Sequence, residues 1–444
     1  MAKLNKILIA NRGEIALRAI RTIKEMGKEA VVVYSTADKE ALYVKQADIA
    51  VCIGSAKSAD SYLNIPAIIG AAEITGADSI FPGYGFLSEN QHFAEICKHH
   101  NLKFIGPSPE TMVLMSDKSK AKDVMVKAGI PVVPGSEGAL KGVADAKERA
   151  KEVGFPVILK AASGGGGRGM RVVESESQIE NSFLAAESEA LSAFGDGRIY
   201  MEKYIRNPRH IEVQILADSH GNVVHIGERD CSLQRRHQKL VEESPAILLN
   251  DEVRAKLHEA AVQATQYIKY EGAGTFEFLV DADLNFYFME MNTRLQVEHT
   301  VSEMVSGLDL IEMMINIAEG GTLLKQEDIE LKGHSIECRI TAEDSKTFLP
   351  SPGKITKWIT PGGKDIRIDS HIYQGYTVPS HYDSMIGKLI VYAENREKAI
   401  KRMYRALEEF DVEGIKTTID FHKGIMKNSD FISNNFDTKY LEKK

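Results

Sequence analysis

The stretch from Phe286 to Glu298 reads FYFMEMNTRLQVE and passes from an apolar run into strict alternation of apolar and polar residues. In extended backbone, successive side chains point to opposite faces, which puts Glu290, Asn292, Arg294, Gln296 and Glu298 on one side. A half-buried strand facing water usually shows it a mixture of Lys, Thr, Ser and Glu. Here two carboxylates, two amides and a guanidinium follow a run apolar enough to be buried on both faces. Such a row suits a cleft that handles a metal and an anion better than it suits a solvated edge. Just upstream, Thr275-Phe276-Glu277-Phe278-Leu279 sets a carboxylate between two aromatics, a costly place unless a cation or hydrogen bonds compensate it. If the two segments pair as strands, Glu277 and Glu290 lie close and repel unless a hard cation such as Mg²⁺ sits between them. Asn292 adds a further hard oxygen.

The rest of the chain reads as an α/β protein, with α+β character in its later part. A strand at Lys6–Ala10, a helix at Ile15–Met26 and a strand at Ala30–Tyr34 open a β-α-β rhythm. It continues through apolar runs at Ile49–Ile53, Ser79–Phe81 and Phe104–Ile105 with helical segments Ile65–Thr75 and Asn90–His99 between them. That order predicts a parallel sheet with flanking helices. No glycine-rich fingerprint follows the first strand, where Asn11-Arg12-Gly13-Glu14 stands, so a dinucleotide site is not indicated. At 444 residues the chain exceeds what one core usually serves, and the pattern divides it into units 1–115, 116–204 and 205–444. The middle unit holds helices Lys118–Ala128 and Val143–Val153 and strands Pro156–Ala161 and Met170–Val173 around a glycine loop. The last holds strands Ile211–Leu216, Asn222–Arg229, Gly274–Val280 and Asn285–Asn292, and a final amphipathic helix Arg396–Phe410.

Composition excludes several classes. A net charge of −8 argues against a general nucleic-acid binder. The four cysteines, Cys52, Cys97, Cys231 and Cys338, are scattered and form no C-x-x-C pair, which fits a reducing compartment. The first apolar run is too short for a signal peptide and none approaches a membrane span of about 20 residues. A cytoplasmic protein is expected.

Two further motifs carry chemistry. Ser163-Gly164-Gly165-Gly166-Gly167-Arg168-Gly169 joins two strands and opens no helix, so the dipole account of phosphate binding does not apply to it. Its backbone N–H groups could fold over phosphates as a nest, with Lys160 as a nearby point charge; the plainer alternative is a mobile surface linker. Glu228 to Lys239 is a dense cationic run in an acidic chain, and Arg, His and Lys together suit phosphate or bicarbonate. Cys231 in such surroundings is a candidate for a lowered thiol pKa, although no general base accompanies it.

Taken together these residues resemble the ATP-grasp superfamily and, within it, the biotin carboxylases. The resemblance spans Ile9–Ala16, Phe81–Asn90, the glycine loop, Arg235–Lys239, Glu290–His299 and Phe348–Gly353. It implies an ATP-grasp fold with an N-terminal parallel-sheet domain, a mobile lid domain and a large C-terminal domain. It implies that Lys118, Lys160, Gly166, Gly167, Glu202, Lys203, Ile205, His210, Gln234, His237 and Leu279 bind ATP, together with Glu277 and Glu290. Glu277, Glu290 and Asn292 would hold two Mg²⁺ or Mn²⁺ ions. Lys239, Arg294, Gln296 and Val297 would hold bicarbonate, with Glu298 as its base, and Arg339 would stabilise the biotin enolate.

The implied reaction is carboxylation of biotin from ATP and bicarbonate through carboxyphosphate, the first half-reaction of acetyl-CoA carboxylase leading to fatty acid synthesis. No Ala-Met-Lys-Met biotin-acceptor segment is present, so a separate biotin carboxyl carrier protein and carboxyltransferase subunits are the expected partners, around a homodimer. Thr300 stands where acetyl-CoA carboxylase members commonly have Pro, and is closer to many pyruvate carboxylases. The alternative is therefore the same subunit in a two-subunit pyruvate or other acyl-CoA carboxylase. More distant readings are another ATP-grasp ligase joining a carboxylate to an amine, or a non-catalytic nucleotide sensor. The set Lys239, Arg294, Glu298 and Arg339 speaks against a sensor, which needs no bicarbonate base.

Overall fold

The computed structural model describes residues 3–136, 138–162 and 170–442. The opening rhythm folds as five strands: β1 (Lys6–Ile9), β2 (Glu29–Ser35), β3 (Ile49–Gly54), β4 (Ser79–Phe81) and β5 (Lys103–Phe104). They form one parallel sheet in the order β3-β2-β1-β4-β5. The chain order reverses between β1 and β4, and in open parallel sheets ligands bind outside the carboxyl ends at such a point. The turn after β1 carries Asn11, whose amide donates to Pro82 O (2.8 Å) and Tyr84 O (2.7 Å) in the turn after β4. Gly83 at φ +63° packs there so closely that a Cβ would sit 3.0 Å from Asn11 Nδ2, so only glycine fits.

The middle unit is a three-stranded sheet in the order β7-β6-β8, built from β6 (Val157–Ala161), β7 (Arg171–Val173) and β8 (Ile199–Lys203). Helices Val143–Val153 and Ile179–Phe194 cover it through Ala146, Ala150, Phe183 and Ala186. Antiparallel pairing of β6 with β7 bears out the hairpin expected around the glycine loop. The loop itself, with Gly166 and Gly167, lies outside the described residues.

An antiparallel sheet of eight strands follows. It uses β9 (Arg209–Ala217), β10 (Val223–Arg235), β11 (Gln238–Ser244), β12 (Gly272–Val280), β13 (Phe286–Asn292) and β14 (His334–Thr341). Short ladders then pair β15 (Gly353–Lys354) with β18 (Thr377–Val378) and β16 (Lys357–Ile359) with β20 (Asp411–Glu413). β17 (Ile366–Asp369) and β19 (Met385–Ala393) complete the large sheet, in the order β13-β12-β9-β10-β11-β14-β19-β17. Because side chains alternate, this sheet has two unlike faces. One face presents Ile211, Val213, Ile215, Phe276 and Phe278 to the helix Asp251–Tyr267 and forms an apolar core with Phe288. The other face carries Thr275 and Glu277 on β12, Glu212 and Gln214 on β9, and Arg229 on β10, matched across the strands by register. It continues through Glu242 on β11, Glu337 and Arg339 on β14, and Lys388 on β19.

The strand from Phe286 ends at Asn292, where the sequence placed its end, but the extended alternation read on through Glu298 does not hold: residues 293–298 are irregular before the helix His299–Ser306. A bulge sits next to the site: Glu277 pairs with Glu290 while Phe278 pairs with Phe288, leaving Met289 unmatched. Bulges re-aim side chains beside active sites. Here one keeps Phe288 in the core and turns Glu290 toward the face of Glu277. Phe288 is fully buried and within 6.1 Å and 6.3 Å (ring centroids) of Phe276 and Phe278. Phe288→Ala is expected to cost about 3–5 kcal/mol of stability in urea unfolding; a loss under about 1 kcal/mol would contradict this packing.

Candidate active site

A cleft of about 1350 Å³ lies between the three sheets. Its walls include Asn11 to Glu14 and Tyr84 to Phe86 from the parallel sheet, and Lys160, Met170, Val172, Tyr200 and Glu202 from the small one. The large sheet supplies the floor. Of the residues singled out in the sequence, Lys118, Lys160, Glu202, Lys203, Ile205, His210, Gln234, His237, Lys239, Glu277, Leu279 and Glu290 all line this cleft. So do Asn292, Arg294, Gln296, Val297, Glu298 and Arg339.

The electrostatic centre is Lys239. Its ammonium donates to Glu212 Oε2 (2.6 Å), Glu277 Oε1 (2.9 Å) and Glu298 Oε1 (2.6 Å). Burial alone would lower the ammonium pKa, but the three carboxylates hold it well above the usual lysine range. The reverse holds for the acids. Burial favours their neutral forms, yet Lys239 draws Glu212, Glu277 and Glu298 below the ordinary carboxylate range. His210 Nε2 lies 3.1 Å from Glu277 Oε2. Although burial disfavours its charge, Glu277 raises the imidazole to about 9, so it is a cation at neutral pH. All five groups, Lys239, Glu212, Glu277, Glu298 and His210, are therefore ionised together.

Asn292 and Gln296 both give an amide N–H to Glu277 Oε1, at 2.8 and 2.7 Å. Arg294 is set from two sides: Nη2 donates to Asn292 Oδ1 (2.8 Å), and Nε to Glu89 Oε2 (3.0 Å), more than two hundred residues away in sequence. Arg339 Nη2 donates to Glu298 Oε2 (3.0 Å), the oxygen left free by Lys239. Across the cleft Lys118 pairs with Glu290 Oε2 (2.9 Å), while Lys160 and Lys122 both pair with Glu202. Lys203 turns away from these, its ammonium giving to Gly154 O (2.9 Å) and Phe155 O (2.8 Å). The arrangement offers two zones: a bank of lysines at one end, and at the other a carboxylate, Glu298, held by an ammonium and a guanidinium, with the Arg294 guanidinium lining the same cleft. The first suits polyphosphate; the second suits a small planar oxyanion with a proton to lose.

Models of the biotin carboxylase N-terminal domain and C-terminal domain match residues 3–112 and 337–443, and a model of the carbamoyl-phosphate synthase L chain ATP-binding domain matches 117–326. The chain belongs to the biotin carboxylase family. A biotin carboxylase of Nostoc is 56% identical over 442 residues, covering 99% of both chains. The biotin carboxylase of Campylobacter jejuni, solved as a beta-gamma-ATP complex, is 69% identical with a TM-score of 0.95, covering 100% of this chain and 99% of that one. The biotin carboxylase domain dimer of a Hydrogenobacter thermophilus 2-oxoglutarate carboxylase, solved with MgADP and bicarbonate, is 49% identical with a TM-score of 0.92, covering 100% and 98%. This biotin carboxylase is accordingly an ATP-dependent ligase of ATP-grasp fold.

Sequence reasoning missed part of the biotin carboxylase site. Glu212 anchors Lys239 but sits in a strand whose alternation, His210-Ile-Glu212-Val-Gln214, was the available signal. Arg229 is fully buried, and its guanidinium gives to Glu212 Oε1 (2.6 Å), Gln214 Oε1 (2.8 Å), Ser302 Oγ (3.0 Å), Thr275 Oγ1 (3.1 Å) and Gln296 Oε1 (2.7 Å). By accepting from Arg229, the Gln296 amide oxygen turns inward and its N–H₂ faces Glu277. Cys231 goes the other way from expectation: it is fully buried, and burial pushes its thiol well above the usual range, so no thiolate is poised there. No helix among the described residues is long and apolar enough to cross a membrane.

Arg229→Gln strips one cationic partner from a buried Glu212 carboxylate that also pairs with Lys239. A loss of about 3–5 kcal/mol is expected in denaturant unfolding, with Arg229→Lys recovering only part of it; full recovery by Lys would show that the guanidinium fork is not what holds the network.

Proposed function

We propose that this chain is the biotin carboxylase subunit of a bacterial-type acetyl-CoA carboxylase, carboxylating biotin on a separate carrier protein. The observation that supports it best is Glu298 held between Lys239 and Arg339, an ionised base with cations on both oxygens. In this reading Lys239, Arg294, Gln296 and the Val297 backbone bind bicarbonate and Glu298 takes its proton. A bicarbonate oxygen then attacks the γ-phosphorus of ATP as the bond to ADP breaks, giving carboxyphosphate. CO₂ released from it joins the ureido nitrogen of biotin once that nitrogen has lost its proton, with Arg339 facing the enolate oxygen. Lys118, Lys160, Glu202, Lys203, Ile205, His210, Gln234, His237 and Leu279 are assigned to the nucleotide, as are Gly166 and Gly167, which lie outside the described residues.

Glu277, Glu290 and Asn292 are an all-oxygen donor set on two paired strands, which fits Mg²⁺ or Mn²⁺. Two ions bound there would neutralise charge on the phosphates. A tighter group of ligand atoms, from His210, Glu212 and Glu277, lies within 4.8 Å, but His210 and Lys239 already balance it with positive charge. Units 1–115, 116–204 and 205–444 are taken as the parallel-sheet domain, the lid and the catalytic and terminal part. The working assembly is a homodimer in the cytoplasm with a carrier protein and carboxyltransferase subunits.

A second reading, a subunit of a two-subunit pyruvate or other acyl-CoA carboxylase, is favoured by one residue, Thr300, which here donates to Glu337 as proline could not. Adding purified carrier and transferase chains separates the two, because label passes from bicarbonate to acetyl-CoA in the first case and to pyruvate in the other. The chemistry itself is tested by ATP hydrolysis. Wild type should require bicarbonate and be stimulated by biotin, and Glu298→Gln should lose about 10²–10³-fold. Turnover indifferent to biotin and dependent on an amine would replace the assignment with another ATP-grasp ligation.

A further inference from the structure

The polar face of the large sheet contains more acid than the reaction uses. Glu242 on β11 and Glu337 on β14 are register partners, so their side chains leave the sheet on the same face as close neighbours. Both are fully buried. Each has one oxygen engaged: Glu242 Oε1 accepts from Arg339 Nε (2.6 Å) and Glu337 Oε2 from the Thr300 hydroxyl. The other oxygen of each, Glu242 Oε2 and Glu337 Oε1, is buried without a hydrogen-bond partner. Two neighbouring carboxylates in a dry interior do not both stay ionised, and one proton between them supplies the missing donor and uses the missing acceptor.

The charges along the stripe point the same way. Glu14, Glu212, Glu242, Glu277, Glu298 and Glu337 face Lys239, Arg229, Arg339, Lys388 and protonated His210, which leaves the cations one short. The groups that face the pair are Arg339 on β14, Lys388 on β19, Lys239 on β11, Cys231 on β10, Glu298 ahead of the helix His299–Ser306, and Tyr84, while Cys338 lies beside them on the opposite face of β14. Of these, Lys388 is committed to Val297 O (2.7 Å) and Glu14 (3.2 Å), and Lys239 to its three carboxylates. Burial is what raises both carboxyls, to about 7 for Glu242 and about 8 for Glu337; Arg339 and Lys388 oppose it, and the like charges that add to it are Glu298 at Glu242 and Glu242 at Glu337.

We propose that Glu242 and Glu337 form a carboxyl pair that shares one proton in the resting enzyme, acting as positioning residues that leave the Arg339 guanidinium loosely held and available to the cleft. Its consequence for turnover rests on the assignment of Arg339 to biotin. Arg339 spans Glu242 and Glu298, so a half-neutral pair leaves its charge facing the base and the substrate. When the pair loses its proton as pH rises, Glu242 binds Arg339 fully and draws it back. Biotin-dependent turnover then falls on the alkaline side, while bicarbonate-dependent ATP cleavage without biotin stays level.

Infrared spectroscopy of the complete wild-type chain tests the pair directly. A carbonyl band of a protonated carboxylic acid is expected at neutral pH, shifting in D₂O and fading above neutrality. It should be absent from Glu242→Gln/Glu337→Gln and present in Glu298→Gln. Absence of a band that the double variant removes overturns the proposal, and pH titration of wild type alone decides it if the double variant does not fold. Glu337→Gln, which leaves Glu242 ionised against Arg339, should lower kcat/KM for biotin about tenfold at neutral pH and remove the alkaline limb, with KM for ATP unchanged. A band that titrates as expected beside biotin kinetics that ignore it would keep the shared proton and overturn its link to Arg339. Loss of bicarbonate-dependent ATP cleavage in wild type would instead count against the assigned reaction.

Discussion

One ammonium among three carboxylates organises this molecule. Lys239 closes onto Glu212 and Glu277 from two other strands and onto Glu298 at the start of a helix. None of these acids could be buried and ionised alone. Removing the lysine would take from all three the one cation they share, so β9, β11, β12 and the segment 293–298 are tied together through one charge. Arg229 extends the tie underneath, and Arg339 extends it sideways. The geometry of Glu298 is thus fixed by electrostatics that also hold the sheet together, which is why binding and stability are hard to separate here.

The three sheets supply different things to that centre. The parallel sheet contributes the turns at its reversal point, and Glu89 from the same unit reaches over to hold Arg294 and the Thr293 backbone. The small sheet brings Lys160 and Glu202 opposite Glu290 and Lys118. The large sheet divides its labour by face. Its aromatic side packs on a helix, and its polar side is dry enough that ordinary carboxylates and cations there are strongly perturbed.

Much of this was legible in the sequence, for identifiable reasons. Helices such as Ile65–Thr75 and Val143–Val153 fall where periodicity puts them, because each covers a sheet with one face. The row from Glu290 to Glu298 does line the cleft, although not as a continuous strand: the bulge at Met289 and the irregular backbone after Asn292 achieve what simple alternation suggested. The pairing of Glu277 with Glu290 was also legible, since both strands flank a short turn. What could not be read was long-range neighbourhood. Glu212 shows only as one polar position in an alternating strand, Arg229 only as one member of a cationic run, and Glu242 and Glu337 carry no local signal; only the register of β9, β10, β11 and β14 brings them together. Cys231 misled for the same reason: a cationic run in sequence became a buried strand in space, so the thiol meets desolvation and carboxylates instead of free positive charge.

The central claim is that the cleft around Lys239 activates bicarbonate with ATP and passes the carboxyl group to biotin. The most direct test is transfer of label from [¹⁴C]bicarbonate to biotin by the purified chain. ATP-dependent appearance of acid-labile, base-stable label on biotin, absent without ATP and absent in Lys239→Gln, is the result this account predicts. ATP consumption that leaves biotin unlabelled would contradict it.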